Sequence, residues 1–196
     1  MALFWRGVQN VKTGEIVAHI FEGDFRKLES EERRKLLPAN EILREAGVAN
    51  GETVVDFGCG IGYFTIPALD IVGENGKVIA IDLSKERLEE LKRRANGRKN
   101  LEIVNADSMD GISRADVILA ITVLHEIDGQ REFVSKCMAS LNPNGRLVVI
   151  DWAKKKTSMG PPIEHRIGKE EVIKMAGKSP VEHKIDGNFY FLEFRI

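Results

Sequence analysis

VVDFGCGIGYF, at residues 54–64, decides how this chain folds. An apolar run typical of a buried parallel strand ends here in three glycines at alternate positions. Glycine lets the backbone turn tightly and approach a ligand closely, so the stretch predicts a strand, a ligand-binding loop and then a helix. A dinucleotide-binding loop has its third glycine one residue later, where Tyr63 stands, and this bulky residue disfavours a NAD site.

Short apolar runs alternate with helical patterns from Thr53 onward. Five runs predict parallel strands, at 53–57, 78–81, 101–104, 117–121 and 147–150. Two later runs, 181–185 and 189–195, are joined by Asp-Gly-Asn, which predicts an antiparallel hairpin. The fold class expected is therefore α/β, with a doubly wound, mostly parallel seven-stranded sheet that ends in a C-terminal antiparallel hairpin. About nine residues separate the third and fourth runs, so a turn or one helical turn is expected there instead of a helix.

Helix start and stop signals divide the rest of the chain. Helices are predicted from Ser30 through Leu37, from Pro38 to Gly47, from Ser84 to Asn96-Gly97, from Asp128 to the turn at 142–145, and at 168–177. We expect an N-terminal helical lid segment over residues 1–50 and a ligand-binding core over 51–196. The pattern does not predict the fold of residues 1–28, where Trp5, Phe21 and Phe25 are either core filling or part of the lid.

Composition narrows the classes of function. The chain has 196 residues, 43% of them hydrophobic, and 29 Lys and Arg against 30 Asp and Glu, a net charge of −1. This balance gives no overall field for nucleic acid or an anionic membrane. Two cysteines exclude a disulfide scaffold, and the histidines lack paired metal-ligand spacing, so no metal is expected. The absence of a long apolar segment or leader predicts a cytoplasmic protein. The sequence does not decide whether the protein forms a homo-oligomer.

Carboxylates recur where the predicted strands end, at Asp56, Asp82, Asp107 and Asp151. In an open parallel sheet the ligand crevice lies at this edge. Crowding acids there costs stability unless a ligand supplies donors or positive charge. Asp82 follows Gly62 by 20 residues, the usual place for an acid that accepts both ribose hydroxyls.

Several longer motifs resemble the class I methyltransferases that use S-adenosylmethionine. They are VVDFGCGIG (54–62), AIDLS (80–84), NADSM (105–109), VLHEI (123–127) and LNPNGRLVVIDW (141–152). MGPPIEHRI (159–167) is similar to a small prokaryotic group loosely related to the ubiquinone- and menaquinone-biosynthesis methyltransferases. The resemblance implies a Rossmann-like methyltransferase fold and S-adenosylmethionine as cofactor.

The resemblance also implies roles for individual residues. The methionine and ribose part of the cofactor would be bound by Asp56, Gly58, Cys59, Gly60, Gly62 and Asp82, and the adenine by Leu83, Asp107, Ser108 and Met109. Ala120 and Ile121 would line the floor beside the sulfonium. His125 is the candidate catalytic base, its alternative being a structural histidine, and His125, Trp152 and Arg166 would contact the acceptor.

The function expected is methyl transfer from S-adenosylmethionine to a small-molecule acceptor. A sulfonium methyl group is already activated, so a base is needed only if the acceptor is protonated when it attacks. Three alternatives stay open: a protein or RNA methyltransferase, a non-catalytic binder of the cofactor, and a NAD-dependent oxidoreductase. A basic surface at Lys154–Lys156, Arg166 and Lys169 would favour a macromolecular acceptor.

Overall fold

A computed structural model describes residues 5–9, 16–21, 30–157 and 159–196, with side chains from residue 30 onward. The strands are β1 Trp5–Gln9, β2 Ile16–Phe21, β3 Thr53–Phe57, β4 Lys77–Asp82, β5 Leu101–Asn105, β6 Ala115–Ile121, β7 Leu141–Trp152, β8 Val181–His183 and β9 Phe189–Arg195. The helices are α1 Glu31–Leu36, α2 Ala39–Glu45, α3 Thr65–Val72, α4 Lys85–Ala95, α5 Gln130–Ser140 and α6 Lys169–Ala176. Two 310 turns lie at Leu124–Glu126 and Ile163–His165.

Seven strands form one sheet in the order β5-β4-β3-β6-β7-β9-β8. The first five are parallel to one another, and β9 pairs antiparallel with both β7 and β8. The predicted fold class is confirmed, including the antiparallel C-terminal hairpin. This order brings the carboxyl ends of β3, β4 and β6 together at one edge of the sheet.

Both faces of the sheet are covered, which explains why its strands are nearly all apolar. On one face Leu43 of α2 and Leu69 of α3 pack with Val117 and Val148. On the other face, α5 and α6 contribute to a cluster built around Val149. The connection at residues 106–114 is a turn without a helix, as its length predicted.

Several local expectations need correction. Among the described residues of the segment predicted to be a helical lid, α1 and α2 are helical, whereas β1 and β2 form an antiparallel two-stranded sheet. The first residue before α5 is Gly129 in a left-handed conformation, and Asp128 does not cap the helix. β7 begins six residues earlier than expected and β8 ends two residues earlier. Phe25 and the side chains of Trp5 and Phe21 lie outside the described residues.

The described helices are all too short or too polar to serve as a membrane span.

Candidate functional site

The glycine loop after β3 presents bare backbone to open space. This space, at the carboxyl ends of β3, β4 and β6, is called the cleft below. Gly58, Gly60 and Gly62 all have positive φ, at 74°, 55° and 93°. A Cβ atom at Gly58 would meet Val123 at 2.5 Å, and one at Gly62 would meet Leu91 at 2.5 Å. At Gly60 a Cβ atom would meet nothing within 4 Å. Two glycines therefore pack the loop against its neighbours, while the middle one faces open space.

Asp82, at the end of β4, holds this loop in place. Its buried carboxylate accepts the N–H of Gly60 through Oδ2 at 2.8 Å and that of Ser84 through Oδ1 at 2.8 Å. Each carboxylate oxygen keeps a second lone pair, so the side chain retains two acceptor positions. Asp82 thus lies beside Gly60 with acceptor positions that these two hydrogen bonds do not use.

Asp56 points into the protein beneath the loop. Its Oδ2 accepts the hydroxyl of Thr65, the first residue of α3, at 2.6 Å. Burial raises the pKa of Asp56 to about 6, Thr65 opposes the rise, and the charge of Asp82 adds to it. The hydrogen bond with Thr65 is compatible with the predicted role of Asp56 in orienting the loop. Its other predicted role, toward the amino group of the cofactor, stays a prediction.

The remaining predicted cofactor residues lie at the same edge of the sheet. Leu83 follows Asp82 and is half-buried, Asp107 is exposed and Ser108 is half-buried, whereas Met109 packs inside the core. Ala120 and Ile121 are buried on opposite faces at the end of β6. Cys59 is also buried, and burial raises the pKa of its thiol, so this cysteine is a small packing residue and not a thiolate.

His125, in the 310 turn after β6, is bound to Asp151 at the end of β7. The ring Nδ1 lies 2.7 Å from Oδ1 of Asp151, and the His125 backbone N–H donates to Oδ2 at 3.1 Å. Burial lowers the pKa of His125, but the charge and hydrogen bond of Asp151 outweigh it, with help from Glu126, and the net shift is upward. The carboxylate fixes the tautomer with a proton on Nδ1, which leaves Nε2 able to take a proton.

The cleft is bounded on its N-terminal side by α1. Nη2 of Arg33 donates to Oγ1 of Thr122, the residue after β6, at 2.7 Å. Thr122 has φ 53°, an uncommon backbone conformation for a β-branched residue that recurs at functional sites. Tyr63 of the glycine loop donates to the carbonyl of Leu37 at 2.7 Å, which ties the same segment to the loop.

Arg166 and Trp152, predicted to contact the acceptor, are engaged in contacts within the loop that follows β7. The five N–H donors of Arg166 are used by the carbonyls of Ala153, Lys155, Met159 and Pro161 and by the hydroxyl of Thr157. The indole of Trp152 is enclosed between Phe189, at 4.3 Å between ring centroids, and the guanidinium of Arg166, at 5.4 Å. The two side chains fix the loop after β7, and their contact with the acceptor stays a prediction.

Sequence reasoning missed three contacts of the site: His125 with Asp151, Arg33 with Thr122, and Tyr63 with Leu37. Asp151 was noted only as one acid among four strand ends. Because β6 and β7 are neighbours in the sheet, residues that follow β6 meet the end of β7, and this adjacency is the signal for the first contact. The other two contacts join distant segments, and no spacing in the sequence indicates them.

Comparison with known proteins agrees with this geometry. A family model for a methyltransferase domain matches residues 55–147. The chain is 26% identical to a demethylmenaquinone methyltransferase of Oceanobacillus iheyensis over 71% of its length and 63% of that protein. It is 30% identical to a mitochondrial ubiquinone biosynthesis O-methyltransferase of Schizosaccharomyces pombe over 56% of its length and 41% of that protein. The chain thus spans less than two thirds of these curated relatives.

A solved structure covers more of the chain. A SAM-dependent methyltransferase from Aquifex aeolicus is 27% identical, with a TM-score of 0.80 over 88% of this chain and 96% of that one. Within the described residues, no group of three or more His, Cys, Asp or Glu side chains could hold a metal ion. The chain has the fold of the class I S-adenosylmethionine-dependent methyltransferases and is similar to them in sequence.

Proposed function

We propose that the protein transfers a methyl group from S-adenosylmethionine to a small-molecule acceptor. The observation that carries the proposal is the open space over Gly60 beside the buried Asp82 carboxylate. Bare backbone accommodates the close approach of a nucleoside, and the free lone pairs of Asp82 suit the hydroxyl groups of its ribose. The residues present therefore fit this cofactor, with Leu83, Asp107 and Ser108 at the adenine end.

The cofactor, when bound, supplies a methyl group already activated by a positively charged sulfur. The protein then has to hold an acceptor atom in line with that group, and such positioning can supply roughly 7–11 kcal/mol. The 310 turn at Leu124–Glu126, which follows β6 at the same sheet edge as the glycine loop, is the element best situated to face the acceptor.

We propose His125 as the base for an acceptor that carries a proton. Asp151 holds Nδ1 in the protonated state, so Nε2 is the atom that accepts the acceptor's proton. The alternative is that the pair only joins the turn after β6 to the end of β7. Comparing turnover of His125→Gln with wild type across pH separates the roles, since a structural histidine gives equal rates.

Two observations favour a small acceptor over a macromolecule. The relatives named above are methyltransferases of demethylmenaquinone and of ubiquinone biosynthesis, both concerned with small molecules. In addition, the expected basic surface is largely neutralised. Lys154 pairs with Glu171 at 3.0 Å and Lys169 with Glu182 at 2.8 Å, while Arg166 is buried in its loop.

Thermal unfolding with S-adenosylhomocysteine and with NAD tests the cofactor. A ligand present at about 100 times its dissociation constant adds roughly 2.7 kcal/mol, so we expect a clear rise in Tm with the homocysteine compound only. A rise with NAD alone would refute the proposal.

Fractionation of cell extract after incubation with methyl-labelled cofactor tests the acceptor. Label in small molecules supports the proposal, while label in RNA or protein identifies a macromolecular acceptor. No transfer despite tight binding identifies a non-catalytic binder.

A further inference from the structure

Glu126 occupies a distinctive place at the cleft. It ends the 310 turn, and its backbone N–H donates to the carbonyl of Val123, whose side chain packs against Gly58 of the glycine loop. Its carboxyl oxygen Oε1 lies 3.8 Å from Nε2 of His125, and 20% of the side chain is exposed. Glu126 therefore lies beside the His125–Asp151 pair, in a turn that contacts the glycine loop through Val123.

Charged groups face Glu126 from both sides of the cleft. Asp151 lies behind His125 on one side, and Arg87 of α4 and Asp82 of β4 act on Glu126 from the other. Arg33 of α1 faces His125, and the backbone of β2 runs close to the turn. The carboxyl of Glu126 thus lies next to the proposed base and within the electrostatic influence of Asp82.

The surroundings of Glu126 favour its neutral form. Burial raises the pKa of Glu126 to about 7, His125 and Arg87 lower it, and Asp151 and Asp82 raise it further. A half-buried carboxyl near two other acids loses its proton more easily when a cation arrives beside it. The cofactor before transfer carries a positively charged sulfur, and the product after transfer carries a neutral one.

We propose that Glu126 is the residue that distinguishes the sulfonium cofactor from its neutral thioether product. This inference rests on the proposed function. Binding of the cation releases the Glu126 proton to solvent and leaves a carboxylate that stabilises the positive sulfur. Once the methyl group has left, the sulfur is neutral, the carboxylate loses its partner and takes back a proton, and the product is held less tightly.

The ratio of two affinities tests the proposal without any acceptor. Isothermal titration calorimetry gives the Kd of S-adenosylmethionine and of S-adenosylhomocysteine between pH 5.5 and 8.5. Titrating groups that act on the parts shared by both ligands, such as Asp56 beneath the glycine loop, change both affinities together and cancel in the ratio. We expect the preference for the sulfonium compound to rise about tenfold as pH rises through 7, which corresponds to a one-unit fall in the Glu126 pKa on binding.

Three variants locate the source of that rise. Glu126→Gln should abolish the rise while keeping side-chain shape, and circular dichroism confirms that it folds. The matched control is Glu132→Gln, at an exposed position of α5 where Glu132 pairs with Lys136. This variant should retain the rise in the affinity ratio with pH. His125→Gln removes the neighbouring titratable ring and should also retain a rise, because the carboxyl remains.

The outcomes separate this inference from the proposed function. If neither ligand binds, the proposed function fails. If both bind but their affinity ratio does not change with pH in the wild type, only the role of Glu126 is overturned. A rise that survives Glu126→Gln but disappears in His125→Gln also overturns it, since the charge would then belong to the imidazole.

Discussion

Nη2 of Arg33 in α1 lies 2.7 Å from Oγ1 of Thr122 at the end of β6, although 89 positions separate the two residues in the chain. This hydrogen bond joins the N-terminal segment to the floor of the cleft. Because the Arg33 donor is charged, this hydrogen bond is stronger than one between two neutral groups. The lid predicted over residues 1–50 would be held over the cofactor by this contact.

We expect Arg33→Ala to weaken binding of S-adenosylhomocysteine by about tenfold, because a hydrogen bond from a charged group contributes about 1.5–3 kcal/mol and part of that is retained by water. Calorimetry measures the change. Lys35→Ala, an exposed neighbour paired only with Glu31 in the described contacts, should bind as wild type does. Equal affinities of the two variants for S-adenosylhomocysteine would show that Arg33 does not hold the N-terminal segment over the cofactor.

Gly60→Ala should abolish cofactor binding while leaving the protein folded. The added methyl group enters the open space over the loop without touching another side chain. Gly97→Ala is the matched control, since Gly97 also has positive φ and open surroundings but lies after α4. Each substitution costs roughly 1–2 kcal/mol of stability through backbone strain. If the two variants bind S-adenosylhomocysteine equally, the loop does not contact the cofactor.

The buried Asp56 should make the protein less stable as pH rises from 4 to 7. Its pKa is about 6 in the folded protein and 3.8 as the ordinary value, so the folded state binds more protons in this range. This difference in pKa corresponds to about 3 kcal/mol of the free energy of unfolding. The protein loses this stability progressively as the pH rises to the pKa of the folded state. Urea unfolding should show a smaller pH dependence for Asp56→Asn. A variant that loses as much stability as wild type between pH 4 and 7 would contradict this assignment.

Asp151→Asn should destabilise the protein by about 3 kcal/mol and lower the pKa of His125. The fully buried carboxylate accepts from both the backbone and ring of His125 and from the N–H of Trp152, and an amide places a donor against these donors. Urea unfolding and NMR titration of the imidazole measure the two effects. Asp110→Asn, an exposed partner of Lys136, serves as control. An unchanged His125 pKa would show that the carboxylate does not set the protonation of the ring.

The sheet could be predicted because its information is local. Buried strands reveal themselves by apolar runs, and the turn at Asp186-Gly187 reveals the hairpin. The glycine loop and Asp82 follow the same logic, since their roles depend on position relative to a strand end. The contacts of Arg166 could not be predicted, because they depend on how the loop after β7 folds around it. The sequence alone does not distinguish an arginine that lines a pocket from one that is enclosed in a loop. The difference depends on which carbonyl groups surround the guanidinium in the folded chain.

The contacts that close the cleft depend on long-range packing. Arg33 meets Thr122 only because α1 crosses the carboxyl edge of the sheet. Residues 5–21 carry a pattern too weak to indicate the β1–β2 pair, which the sheet register shows. An isolated two-stranded hairpin has marginal stability, so neither propensity nor spacing determines it alone.

The saturation of Arg166 has a consequence for which positions in its loop can tolerate substitution. One side chain with five donors in a fixed plane binds residues 153, 155, 157, 159 and 161, and lysine, with three donors on a flexible stem, could not reproduce these contacts. Neighbouring positions in that segment can vary in size or polarity while the backbone keeps its course. Substitution in this loop can therefore proceed by exchange of side chains on a rigid frame, provided that this arginine is retained.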